Sequence, residues 1–230
     1  MSAYDRALFR RTLLASAVLL VLTAATVLAT DEATSTAGMR VARLSAIAPL
    51  VIAMAILAVG GHARARGELR ALEALGAAPW TSLRGAEYAG ALLAAASLAA
   101  LVTPLADATS LLPAVAPSID WTMNADRGRA TASGLVVFAS GVIEAARTAA
   151  VPASHRIDAS AAIPCIAPIA CLISAWAASP MRVALRLSSG VTTMLLAVAA
   201  LHLVAASRLP PLGAMLASLP LAASLVHARH

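Results

Sequence analysis

An all-α membrane protein is what this sequence predicts: six transmembrane helices, a short cytoplasmic helix between the second and third, and a small external segment between the third and fourth. Composition is the first reason. Of 230 residues, 60% are hydrophobic and 12% charged, with a mean hydropathy of +0.84. Soluble domains run at about 45–50% apolar and about 25% charged. The second reason is that the apolar residues gather into runs long enough to cross a bilayer, which takes about 17–25 residues. The third is the placement of charge, because all 17 basic residues are Arg and most of them fall between the runs. The same composition excludes a disordered chain and disfavours a soluble globular enzyme. The net charge of +6 is no sign of a nucleic-acid partner, because only 3% of residues are aromatic and single-strand binding needs stacking platforms.

The six runs cover residues 12–29, 44–61, 88–105, 159–178, 187–206 and 212–227. Arg6, Arg10 and Arg11 precede the first run in the manner of a signal peptide. Its apolar stretch is long for that, so an uncleaved span is expected. Three domains follow: a first transmembrane half at 1–106, an external segment at 107–158 and a second transmembrane half at 159–230. With the N-terminus inside, ten Arg lie on the inner side and seven on the outer, the latter spread over longer loops. The bias of short loops therefore favours cytoplasmic N- and C-termini. Between spans 3 and 4, residues 121–129 suggest a turn, 135–138 a short strand, and 141–150 a helix. Cys165 and Cys171 lie six residues apart in one run. At about 100° per residue they point to different sides of a helix, which favours small core thiols over a disulfide or metal pair.

The one sizeable cytoplasmic loop contains His62-Ala-Arg-Ala-Arg66-Gly-Glu68-Leu69-Arg70-Ala71-Leu72-Glu73-Ala74-Leu75-Gly76. Leu69, Leu72 and Leu75 repeat at helical spacing, while Arg64/Glu68 and Arg70/Glu73 stand at i, i+4 and i, i+3. Gly76 fits a helical stop. The result is a short amphipathic helix that needs the bilayer or a partner to cover its Leu face.

Within it, Glu68-Leu69-x-Ala71-Leu72-x-Ala74-x-Gly76 resembles the coupling-helix pattern of ABC permeases that extract or move lipids. Two families share such a motif: the LptF/LptG-like (YjgP/YjgQ) permeases of lipopolysaccharide export, and permeases of the lipoprotein-release, cell-division and macrolide-efflux type. The second family has four spans, with a large external domain directly after the first. Here there are six, and the larger external segment follows the third, which resembles the LptF/LptG-like order. His155-Arg156 ahead of Pro164 and Pro168, and Arg182 with Arg186 after the fourth span, resemble that family's corresponding positions. The family's external jelly roll has no room in about 50 residues. The resemblance implies a coupling helix at about residues 64–76, with Glu68, Leu69, Leu72, Glu73, Leu75 and Gly76 meeting a cytoplasmic ABC ATPase, and a second, related permease subunit.

Arg40, Arg43, Arg156 and Arg208 fall at the outer membrane level. They either snorkel to the interface or contact the anionic head group of a membrane lipid or glycolipid. No Walker A loop, metal constellation or nucleophile elbow is present, so no catalytic role and no cofactor are expected. The expected function is the permease subunit of an ABC-type lipid or glycolipid exporter in a bacterial inner membrane. The alternative is a non-transporting, permease-like scaffold subunit of a larger complex, and a secondary transporter is disfavoured by the lack of midplane charge.

Overall fold

The computed structural model describes residues 2–30, 35–112, 122–124, 128–130, 135–137, 143–145 and 159–229. Its first helix, α1 (Ala3–Thr30), begins at a reciprocal cap. The Asp5 N–H donates to Ser2 Oγ at 3.0 Å, and the Ser2 N–H donates to Asp5 Oδ2 at 2.9 Å. Two amide hydrogens that a helix start leaves without partners are thereby satisfied. α2 (Ala37–Ala65) starts at Thr36, whose Oγ1 accepts from the Met39 N–H at 3.3 Å. It runs through Pro49 and ends where Gly67 takes φ +73°. That left-handed conformation turns the chain out of the helix, and a residue without Cβ adopts it freely. α3 (Glu68–Ala74) follows at once. A 3₁₀ turn at Pro79–Thr81 then leads into α4 (Arg84–Val102).

The second half opens with a 3₁₀ turn, Ala159–Ala162, continued by α5 (Ile163–Ala178). Pro164 sits in the first turn of α5, where its missing N–H would have no intrahelical partner in any case. α6 (Val183–Ala205) is followed by a 3₁₀ segment, Pro211–Ser218, and α7 (Leu219–Arg229). Pro220 cannot donate to the Leu216 carbonyl, and the Leu219 N–H takes that place with i→i+3 spacing. This keeps the preceding segment in the tighter form.

Among the described residues, five stretches are long and apolar enough to cross a membrane: Ala3–Thr30, Ala37–Ala65, Arg84–Val102, Val183–Ala205 and Pro211–Ala228. The fourth expected span meets a shorter helix, because α5 has 16 residues, about 24 Å at 1.5 Å per residue. α1, α2 and α4 pack on one another, and α5 lies against α2, α4 and Pro211–Ser218. The last segment also packs on α6, so α5 and α6, neighbours in sequence, touch each other less than each touches it. Among the described residues, a core cluster marks each end. One joins Leu8, Ala63, Leu69, Leu83, Trp176 and Met181; the other joins Ala42, Leu101, Ala108, Ala162 and Ile166. Small residues allow close approach: a Cβ at Gly85 in α4 would fall 2.9 Å from the Asp5 Cα in α1. α1 and α6 present exposed Leu and Val outward along their lengths, as lipid-facing helices do. Cys165 is buried, its thiol donating to the Ala197 carbonyl at 3.7 Å, whereas Cys171 is exposed and so is not the core thiol expected of it.

α6 closes on a residue that favours another identity. The Ser207 N–H donates to the Val204 carbonyl and the Arg208 N–H to the Leu203 carbonyl, both at 2.9 Å. This is the Schellman pattern, with Ser207 at φ +55° where Gly is usual. Ser207→Gly is expected to stabilise the protein by about 0.5–1 kcal/mol. Thermal unfolding in detergent should show the midpoint rising by about 2 °C; no rise would mean that the serine is not strained.

The remainder forms a separate unit, Ala114–Asp158. Its described residues form four strands of three residues each: β1 (Thr122–Asn124), β2 (Gly128–Ala130), β3 (Leu135–Val137) and β4 (Ile143–Ala145). They pair antiparallel in sequence order. Asn124 opposite Gly128 places a reversal where a turn was expected, and β3 coincides with the expected strand. The helix expected at 141–150 is overturned at its centre, because Ile143 pairs with Val137 and Ala145 with Leu135. A ten-residue helix is marginal alone, whereas pairing gives β3 a partner on its second edge. The larger unit is helical, and the described strands are confined to the smaller one. Ala108–Leu111, expected in the external segment, belongs to the helical unit and packs on α2.

Candidate functional site

The start of α1, the end of α2, α3, the start of α4 and the α5–α6 turn meet around the first core cluster. Nine Arg and four carboxylates belong to these segments. Glu68 is its organising anion. Its Oε2 lies 3.2 Å from Arg11 Nη1, its Oε1 lies 3.2 Å from Arg66 Nε, and Tyr4 Oη donates to Oε2 at 3.5 Å. The chain thus ties α3 to α1 across 57 residues of sequence. A single exposed pair contributes about 0.2–1 kcal/mol; here one carboxylate, 20% exposed, serves two guanidiniums.

This differs from the expected helix in two ways. First, His62–Ala65 belong to α2, and the left-handed Gly67 breaks the helix expected to run continuously to Gly76. Glu68 is consequently met by Arg66 and Arg11, not by Arg64. Second, the Leu face divides. Leu69 is buried and Leu72 packs against the same core, while Leu75 is 85% exposed. The chain itself therefore covers Leu69 and Leu72, and only Leu75 remains for a partner, beside exposed Glu73. Gly76 does end the helix. At φ +86° its N–H donates to the Glu73 carbonyl at 2.9 Å, and the Ala77 N–H donates to the Leu72 carbonyl at 3.0 Å. This Schellman closure fixes the direction in which the chain leaves α3.

Arg186, expected as part of a surface hairpin, is 8% exposed in the first turn of α6. Its Nη2 donates to the Ser179 carbonyl at the end of α5, and its Nε is buried without a partner. A cation there complements the negative end of the α5 dipole. The signal in the sequence was an Arg immediately ahead of an apolar run and preceded by Val183, Ala184 and Leu185.

At the opposite end, Arg40 and Arg43 lie half-buried in the first two turns of α2, and neither is free of partners. Arg208 is exposed in the turn after α6. Arg156 lies outside the described residues. The second core cluster includes Ala42 of α2 and packs against Leu201 of α6, which brings those helix ends together. Among the described residues no three His, Cys, Asp or Glu side chains converge as metal ligands.

The architecture and the apolar helices define a multi-pass helical membrane protein. The chain matches no family model, no curated protein and no solved structure.

Proposed function

We propose that the chain is the permease subunit of an ABC-type lipid or glycolipid exporter, LptF/LptG-like, with a second related permease and a separate cytoplasmic ATPase. One observation carries this reading. α3 is anchored on its inner side, by Leu69 in the core and Glu68 on Arg11 and Arg66, and open on its outer side at Glu73 and Leu75. A coupling element needs both properties, since a push on its outer face must reach the bundle instead of bending a loop. In this reading Ala159–Ala162 and α5 together form the fourth of the six spans. The 3₁₀ turn adds about 8 Å at 2.0 Å per residue to the 24 Å of α5, enough for a hydrocarbon core of about 30 Å. The arginine-rich end faces the cytoplasm by the positive-inside rule, in a bacterial inner membrane. Arg40, Arg43, Arg156 and Arg208 then lie on the outer side as head-group contacts. The non-transporting scaffold is the second reading, favoured by the external unit, whose described strands number four and have three residues each.

Purification in mild detergent from the native membrane separates the two. The exporter reading expects an ABC ATPase in stoichiometric amount, held through α3. A large assembly without any ATPase would establish the scaffold instead.

A further inference from the structure

At the arginine-rich end a groove of about 410 Å³ is lined by Arg11 of α1 and by Ala58, Val59, His62 and Arg66 of α2 and its cap. We propose that this groove binds an anionic phospholipid, its phosphate at Arg11, His62 and Arg66 and an acyl chain along Ala58 and Val59. The inference requires only that α1 and α2 cross a bilayer, and the groove lies at the opposite end from Arg40, Arg43 and Arg208.

The order of side chains along the groove carries the argument. His62 and Arg66 stand one and two turns beyond Ala58 on the same side of α2, so donors sit at the helix end and apolar surface lies deeper in the span. A phospholipid has the same order, with charge at the interface and hydrocarbon beneath it. A free anion would use only the rim. Charge also fits. Arg11 and Arg66 share a single carboxylate, Glu68, so the pair keeps a net positive charge toward the groove. Both guanidinium side chains are accessible, at 45% and 59% exposure. Arg is suited to phosphate because its planar fork can donate two parallel hydrogen bonds. Any phosphate in the groove competes with Glu68 for both arginines. Occupancy therefore loosens the tether between α1 and α3, and links lipid at this end to the freedom of α3.

Native mass spectrometry of the full chain, with phosphatidylglycerol and phosphatidylcholine offered in equal amounts, tests the assignment. Phosphatidylglycerol should be retained in preference. Each basic residue near a membrane surface strengthens anionic-lipid attraction about fivefold, so R11Q/R66Q should lower its retention by more than tenfold. R70Q/R84Q removes the same charge at the same end outside the groove and should change retention far less. E68Q breaks the same ion pairs but removes the competitor, so it should raise retention. A variant that merely unfolds cannot give both signs. Equal retention of the two lipids, equal loss in the two double variants, or loss in E68Q would overturn the proposal. So would displacement of phosphatidylglycerol by millimolar inorganic phosphate, which would mark the rim as a site for free anions.

Discussion

Trp176→Ala is expected to cost about 3–5 kcal/mol of stability, the range for truncating a large buried aromatic. Trp176 is 8% exposed near the end of α5, and its ring faces α6 at Gly190, where a Cβ would lie 3.1 Å from Cζ2. Its Nε1 donates to Ser189 Oγ at 3.0 Å, and that hydroxyl donates in turn to the Arg186 carbonyl at 3.2 Å. α5 and α6 share little surface, so the indole is one of few ties between them, beside the Arg186 bond to the Ser179 carbonyl and the Cys165 bond to the Ala197 carbonyl. Between helices in a bilayer, packing and hydrogen bonds hold the structure where water exclusion contributes little. A cavity at this position therefore has few compensating contacts. Trp176→Phe keeps a ring but leaves Ser189 without its donor, at a cost of about 1 kcal/mol. Unfolding in a denaturing-detergent titration should order the proteins as wild type, Trp176→Phe, Trp176→Ala. If the two variants unfold together, the hydrogen bond carries the contact and the ring's packing does not.

The membrane character of the chain was legible because it rests on composition summed over long runs, and burial in lipid needs no particular partner. The ends of the helices were not, because they depend on caps and backbone conformation. α1 starts at residue 3, ahead of the apolar run at 12–29, through the Ser2/Asp5 cap, whose Ser-x-x-Asp spacing was visible but lay outside that run. The break at Gly67 was hidden for a related reason. A Gly inside an otherwise helical pattern is tolerated, and only its left-handed φ separates α3 from α2. The consequence reached the candidate site: once α3 turns against the bundle, Leu69 and Leu72 face the chain's own core. Periodicity showed that these leucines share a face but could not show what covers it. The Arg11–Glu68 pair was illegible because it spans 57 residues and neither helical spacing nor local charge pattern relates its members.

Leu75→Asp is expected to weaken binding of the proposed ATPase by at least about 2 kcal/mol, roughly thirtyfold, as for a central apolar anchor. Leu75 is 85% exposed at the end of α3, so the bundle itself should be unaffected and the unfolding midpoint unchanged. Leu72 makes the contrast. It packs against the core cluster, so Leu72→Asp forces a charge toward apolar surface and should destabilise the whole protein by several kcal/mol. Loss of a partner in that variant would say nothing about docking. Glu73, exposed two residues before Leu75, belongs to the rim. Glu73→Arg should weaken association less than Leu75→Asp and make it more dependent on salt. Co-purification of each variant from membranes, with the unfolding midpoint measured on the same samples, separates the two effects. If Leu75→Asp retains a stoichiometric ATPase, the outer face of α3 is not the point of contact. If Leu75→Asp loses the ATPase at full stability, while Glu73→Arg loses it only at raised salt, the exposed side of α3 is the docking surface and its buried side is what holds that surface to the bundle.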